Sequence, residues 1–129
     1  MNRIVQALQE VGVFYLATVE NGEPKVRPLG AVMEWEGKAY LCTGNKKAMY
    51  RQMVAHPQVQ LCGAKPDGTW VRVDAKVVED DRKEAREAML EAVPILKGMY
   101  RADDGVFTVF YLEDAKAYAC TMTGEATPL

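Results

Sequence analysis

Histidine is almost missing from this chain: His56 stands alone among 129 residues. A histidine-rich metal centre is thereby excluded, no metal site is expected, and acid–base chemistry has one imidazole at most. Cysteine is scarce too. Cys42, Cys62 and Cys120 are odd in number, widely spaced and form no CxxC pair. That pattern argues against a disulfide framework or a zinc ribbon and fits a reducing cytoplasm. Basic charge is not in excess: 16 Lys and Arg stand against 18 Asp and Glu, a net charge of −2. No global field therefore points to nucleic acid or to an anionic membrane. No apolar run approaches the ~20 residues of a membrane span. The opening MNRIVQALQEVG carries Gln and Glu where a secretory leader needs an apolar stretch, so a cytoplasmic protein is expected. Repeats, low-complexity tracts and Pro/Ser linkers are also lacking, and a single domain over residues 1–129 is expected. What is present is a globular balance, 49% hydrophobic and 26% charged, sufficient for a real core. Any chemistry here calls for an imported cofactor.

The periodicity predicts many short strands and few helices. Ile4, Val5, Leu8 and Val11 lie at helical spacing, and VGVFYLATV then reads as a strand covered on both faces. Asn21-Gly22 signals a tight hairpin, with PKVRPLGAVMEW as the return strand. Its place between Asn21-Gly22 and the next turn, Glu36-Gly37, predicts a central strand. KAYLCT follows, then a helix carrying Met49 and Met53 that should stop near His56, because Pro57 disfavours helical geometry before it. QVQLCGAK and TWVRVDAKVVE are the next strands. In the second, Val71, Val73, Ala75 and Val77 line one face and Trp70, Arg72, Asp74 and Lys76 the other. Asp80 or Asp81 is expected to cap a helix through Ala85, Met89 and Ala92 that ends at Pro94. GVFTVFYLE and KAYACTM read as two last strands joined at Glu113-Asp114, and Thr121–Glu125 as a loose tail or a cover for a partner's site. Such a series, rich in hairpins, predicts a mainly β (α+β) protein: a six- to seven-stranded antiparallel barrel with short flanking helices.

Two places invite an anion. Thr43-Gly44-Asn45-Lys46-Lys47 lies where a strand gives way to a helix, so backbone N–H groups there lack helical partners. Asn45 is the expected N-cap, and Lys46 and Lys47 are unfavourable at the positive end of a helix unless an anion offsets them. The alternative is a solvated lysine pair. Arg27, mid-strand among apolar neighbours, needs a partner. Either a carboxylate such as Glu34 or Asp74 supplies it, or the anion held by Lys46 and Lys47 does. Pro28 removes a ladder donor beside it and suggests a bulge. His56 reads as a structural residue at a helix end. Cys42 and Cys62 read as small core hydrophobes. Tyr100, Tyr111 and Tyr118 read as core or dimer packing, or as residues flanking a ring.

GVFYLATVENGEPKVRPLGAV, YLCTGNKKAMYRQMVAHPQVQLCG and GTWVRVDAKVVED together resemble the pyridoxamine 5′-phosphate oxidase-like split-barrel flavoproteins. The resemblance spans about Val11 to Glu79. It implies a split barrel, FMN as cofactor, and a homodimer with FMN in a cleft between subunits. By the resemblance, Arg27, Lys46 and Lys47 bind the FMN phosphate, with Asn45 at the same junction. Pro28, Leu29 and Gly30 run along the isoalloxazine, Cys42 and Thr43 sit at the sugar-phosphate chain, and Trp70 lies near the ring. The implied function is an oxidoreductase passing hydride or electrons between a donor such as NAD(P)H and a small acceptor or redox protein. The alternative is a non-catalytic FMN electron carrier or storage protein. The vitamin B6 oxidases' substrate-phosphate residues and C-terminal Trp and Arg find no match, which argues against pyridoxamine phosphate oxidation itself. The smaller relatives include a nitroimidazole-reductase-like branch. A deazaflavin presents the same phosphate and tricyclic ring, so the resemblance admits it too.

Overall fold

A computed structural model describes residues 2–129. Helix α1 (Arg3–Val11) starts where the Asn2 side chain accepts from the backbone N–H groups of Ile4 and Val5, and it buries Val5, Ala7 and Leu8. The strands are β1 (Phe14–Glu20), β2 (Glu23–Leu29), β3 (Met33–Trp35), β4 (Lys38–Gly44), β5 (Gln58–Ala64), β6 (Trp70–Asp80), β7 (Phe107–Cys120) and β8 (Ala126–Pro128). Between them lie α2 (Ala48–Ala55), α3 (Lys83–Ala92) and a 3-10 turn, Pro94–Gly98. Among the described residues, no helix is long and apolar enough to cross a membrane.

All eight strands belong to one antiparallel sheet, ordered β2-β1-β5-β6-β7-β4-β3, with β8 paired to β7. The path has two free ends, β2 and β3, so the barrel is split rather than closed. The inner faces of β1, β5 and β6 meet α1 and α2 in the larger core, around Leu8, Phe14, Leu16, Met53, Leu61 and Val73. A second core beneath α3 gathers Tyr40, Met89, Phe107 and Val109. The alternation in β6 is as expected: Val71, Val73, Ala75 and Val77 are buried, and Trp70, Arg72, Asp74 and Lys76 are not. Helix α2 ends at His56, as Pro57 requires.

Four expectations are corrected. The stretch from Pro24 to Trp35 is not one central strand but β2 and β3, at opposite ends of the sheet. Pro24 and Pro28 have no N–H for a second ladder, and an edge is where strand prolines belong. Neither β2 nor β3 therefore lies between its sequence neighbours, and β4 pairs with β7 instead of β2. The two C-terminal strands are one, β7, because Asp114 takes a left-handed backbone (φ 52°) and leaves one extra residue opposite β6 as a bulge. Thr121–Glu125 is not loose but a turn, closed by the Thr121 N–H on the Glu125 carbonyl at 3.0 Å, that leads from β7 into β8. Finally, Asn45 does not cap α2 and no aspartate is the N-cap of α3: Lys47 and Arg82 hold those positions, without side-chain cap bonds.

Candidate functional site

A cavity of about 400 Å³ opens where the chain leaves the edge strand, within the range of small-molecule sites. One wall is the end of β2 and the two residues after it, Pro28 to Ala31, and the floor is Cys42 and Thr43 of β4 with Lys47 at the start of α2. The other wall is the 3-10 turn and its flanks: Val93, Ile95, Leu96, Met99 and Tyr100. Ile95 and Met99 are 82% and 67% exposed, apolar side chains at the cavity mouth.

Polar groups are few here. Thr43 is only 4% exposed, yet its hydroxyl has no partner among the described residues. An unpaired buried hydroxyl costs free energy unless something in the cavity completes it. Its carbonyl, by contrast, accepts from the Thr108 hydroxyl at 2.9 Å. Burial pushes the Cys42 thiol up to about 12 against the opposing pull of Lys47, so it remains a thiol at neutral pH. Among the described residues, Lys47 is the one cation lining the cavity.

The sequence candidates thus divide. Pro28, Leu29, Gly30, Cys42, Thr43 and Lys47 come together around one space. Lys46 is exposed beside Lys47. Arg27 does not line the cavity, and neither Glu34 nor Asp74 is its partner: its Nη1 donates to the Leu16 carbonyl at 3.1 Å and to Thr18 Oγ1 at 2.7 Å, and its Nη2 donates to Gln52 Oε1. All three acceptors are neutral, and burial draws the guanidinium below its usual range. Asn45 donates through Nδ2 to the Gly105 carbonyl at 3.0 Å and faces a separate depression with Glu79, Asp81 and Arg86. Trp70 opens β6 on its outer face, opposite Ala64 and Cys120, and lies outside the cavity lining. His56 lies in another depression with Glu20 and Arg51. No cluster of His, Cys, Asp or Glu among the described residues is arranged to hold a metal.

The apolar wall was not foreseen beyond Tyr100. Its only signal was Pro94 followed by apolar residues after an amphipathic helix, and topology alone brings that segment against β4.

The sequence profile of the pyridoxamine 5′-phosphate oxidase family matches residues 1–117. No curated protein matches the chain. Among solved structures, a NimC/NimA family protein from Clostridium acetobutylicum is 45% identical, with a TM-score of 0.91 over 98% of this chain and 91% of that one. A pyridoxamine 5′-phosphate oxidase-related, FMN-binding protein from Nostoc punctiforme is 18% identical, with a TM-score of 0.67 over 98% and 93%. The heme storage protein of Vibrio cholerae is 18% identical, with a TM-score of 0.66 over 89% and 94%. The last two share the fold alone. With the profile covering nearly the whole length, the chain belongs to the pyridoxamine 5′-phosphate oxidase family.

Proposed function

We propose that this protein binds FMN in the cavity between the end of β2, β4 and the 3-10 segment, and acts as an oxidoreductase on a small acceptor. The carrying observation is the cavity's composition: apolar walls, one cation at a helix start, and the orphaned Thr43 hydroxyl. These fit a ligand with a flat apolar body and an anionic end. Lys47, with Lys46 beside it, would hold the phosphate, and Arg27 would join them if its side chain turns from Gln52. The backbone of Pro28, Leu29 and Gly30 would orient the ring, and apart from its chain neighbours no atom stands within 4 Å of where a Gly30 side chain would begin. Thr43 would give or accept a hydrogen bond, and the Ile95–Met99 wall would exclude water. Bound FMN supplies the hydride and electron transfer. The fold is shared with a heme storage protein, but the chain's one histidine is outside this cavity.

The reading includes a homodimer with the flavin at the subunit interface. Three cross-strand pairs, Tyr15 with Pro28, Ala17 with Val26 and Val19 with Pro24, put an apolar face on the outside of the β1–β2 edge. Val26 is 67% exposed and Tyr15 and Val19 are also open, more apolar surface than a lone subunit ordinarily leaves. Pro28 belongs to both this face and the cavity. A two-fold contact there would adjoin the site, and Trp70 would reach a flavin only across the subunit boundary.

The test is the visible spectrum and the mass of the ligand released from the purified protein, which also separates FMN from a deazaflavin. Oxidised flavin absorbance with FMN mass supports the proposal, and a colourless protein that takes up no added FMN refutes it. Steady turnover with NAD(P)H and a small acceptor marks an enzyme; electron exchange with a redox protein alone marks a carrier. Ultracentrifugation of the loaded protein should show twice 14.4 kDa.

A further inference from the structure

Gly44 ends β4, and its backbone is not in the left-handed region that favours glycine. Conformation therefore does not explain the missing side chain; space does. A Cβ placed there would come within 3.1 Å of the Tyr100 hydroxyl, 3.3 Å of Tyr100 Cε1 and 3.3 Å of Val106 Cγ1. Tyr100 is pressed against the bare strand.

Its ring is also fixed from the other side. It stacks on Phe107 at 4.8 Å between centroids with 33° between planes, and its backbone N–H donates to the Leu96 carbonyl at 2.9 Å. The hydroxyl makes no hydrogen bond to another of the described residues and is not buried, so it is open to a ligand. Seated against the Gly44 backbone just before α2, Tyr100 thus lines the same cavity as Thr43 and Lys47.

We infer that Tyr100 is a ligand-binding residue whose hydroxyl donates a hydrogen bond to the cofactor's phosphate beside Lys47, and that Gly44 is small to admit it. This rests on the FMN reading above. It assigns phosphate recognition to a residue far along the chain, carried in on the segment after α3. Tyrosine adds a neutral donor at a fixed position, which lysine, a flexible point charge, does not.

Equilibrium titration of the flavin-free full-length protein with FMN and with riboflavin tests it. Tyr100→Phe keeps the stacking on Phe107, so folding should be unchanged. FMN affinity should fall about tenfold with riboflavin affinity unaltered, as for one hydrogen bond to a charged group at the lower end of its range. Gly44→Ala should weaken FMN in the wild-type background, and add less in the Tyr100→Phe background, because both changes disturb one contact. Unchanged FMN affinity in Tyr100→Phe, or an equal loss for riboflavin, would overturn the assignment while leaving the FMN site standing. A wild-type protein that does not prefer FMN to riboflavin would overturn both.

Discussion

Two arginines in this molecule are held in opposite ways. Arg82 is surrounded by opposite charge: its guanidinium donates to Asp80 at 3.0 and 2.8 Å and to Glu36 at 2.8 and 3.3 Å, and lies over the Trp35 ring at 4.8 Å. The Tyr40 hydroxyl completes Asp80 at 2.7 Å. Hydrogen bonding to Asp80 raises the Arg82 pKa, and Arg82 holds the Asp80 carboxyl well below its ordinary range. Arg27, at the other end of the sheet, has only a carbonyl, a hydroxyl and an amide oxygen, and burial draws its pKa down. The first network is finished by the protein and ties the β3–β4 hairpin to α3. The second has no counter-charge, and three bonds from a guanidinium's five donors leave two free. A closed network is structural; an open one is where a ligand's charge is expected to enter.

The largest effect that would sharpen this contrast is on flavin affinity. Arg27→Ala should weaken FMN by about one to two orders of magnitude, as for loss of a charge-assisted bond of roughly 1.5–3 kcal/mol. Its stability should change little, because Thr18 and Gln52 remain bonded to each other. A variant that binds FMN normally but melts early would make Arg27 another structural cation.

Asp80→Asn should do the reverse. Losing the charge between Tyr40 and Arg82 should cost about 1–3 kcal/mol in urea unfolding, with FMN affinity of the folded protein intact.

Acid distinguishes the two networks next. The Asp80 pKa is lowered from 3.8, so its stabilising contribution is present above that value and is lost as pH falls through the folded-state pKa. The stability gap between wild type and Asp80→Asn should therefore narrow as pH drops below about 4. The Arg27 acceptors are all neutral, and the carboxylate that reaches this network, Glu20, is held first by Arg51 and only then by Gln52, so the Arg27 contribution should change less over that range. A constant Asp80 gap would show the charge is not what matters.

The smallest effect is expected at His56, whose N–H closes α2 on the Gln52 carbonyl at 2.8 Å. His56→Gln should leave flavin content and reductase turnover within a few-fold of wild type; an activity loss by orders of magnitude with flavin retained would make it functional.

What the sequence disclosed followed from contiguity. Thr43 through Lys47 is an unbroken stretch at a strand–helix junction, and two of its five residues, Thr43 and Lys47, line the cavity, whereas Asn45 faces a separate depression. The alternation of β6 and the end of α2 were legible because period and Pro57 act locally. Legibility failed where distant pieces meet. Hairpin order hid the edge position of β2, although Pro24 and Pro28 carried the information. Asp114 resembled a turn because turn and bulge use the same left-handed residue. Ile95 and Met99 bear no chemistry that would mark them, and only the fold brings them to the mouth of the cavity.

The central claim is that this cavity recognises the phosphate of FMN. Its most direct measurement is the ratio of FMN to riboflavin affinity for wild type and for Lys47→Ala. FMN should bind wild type at least tenfold more tightly, by the same roughly 1.5–3 kcal/mol, and Lys47→Ala should erase most of that preference while riboflavin affinity stays unchanged. Equal affinities for the two ligands in wild type would contradict the account.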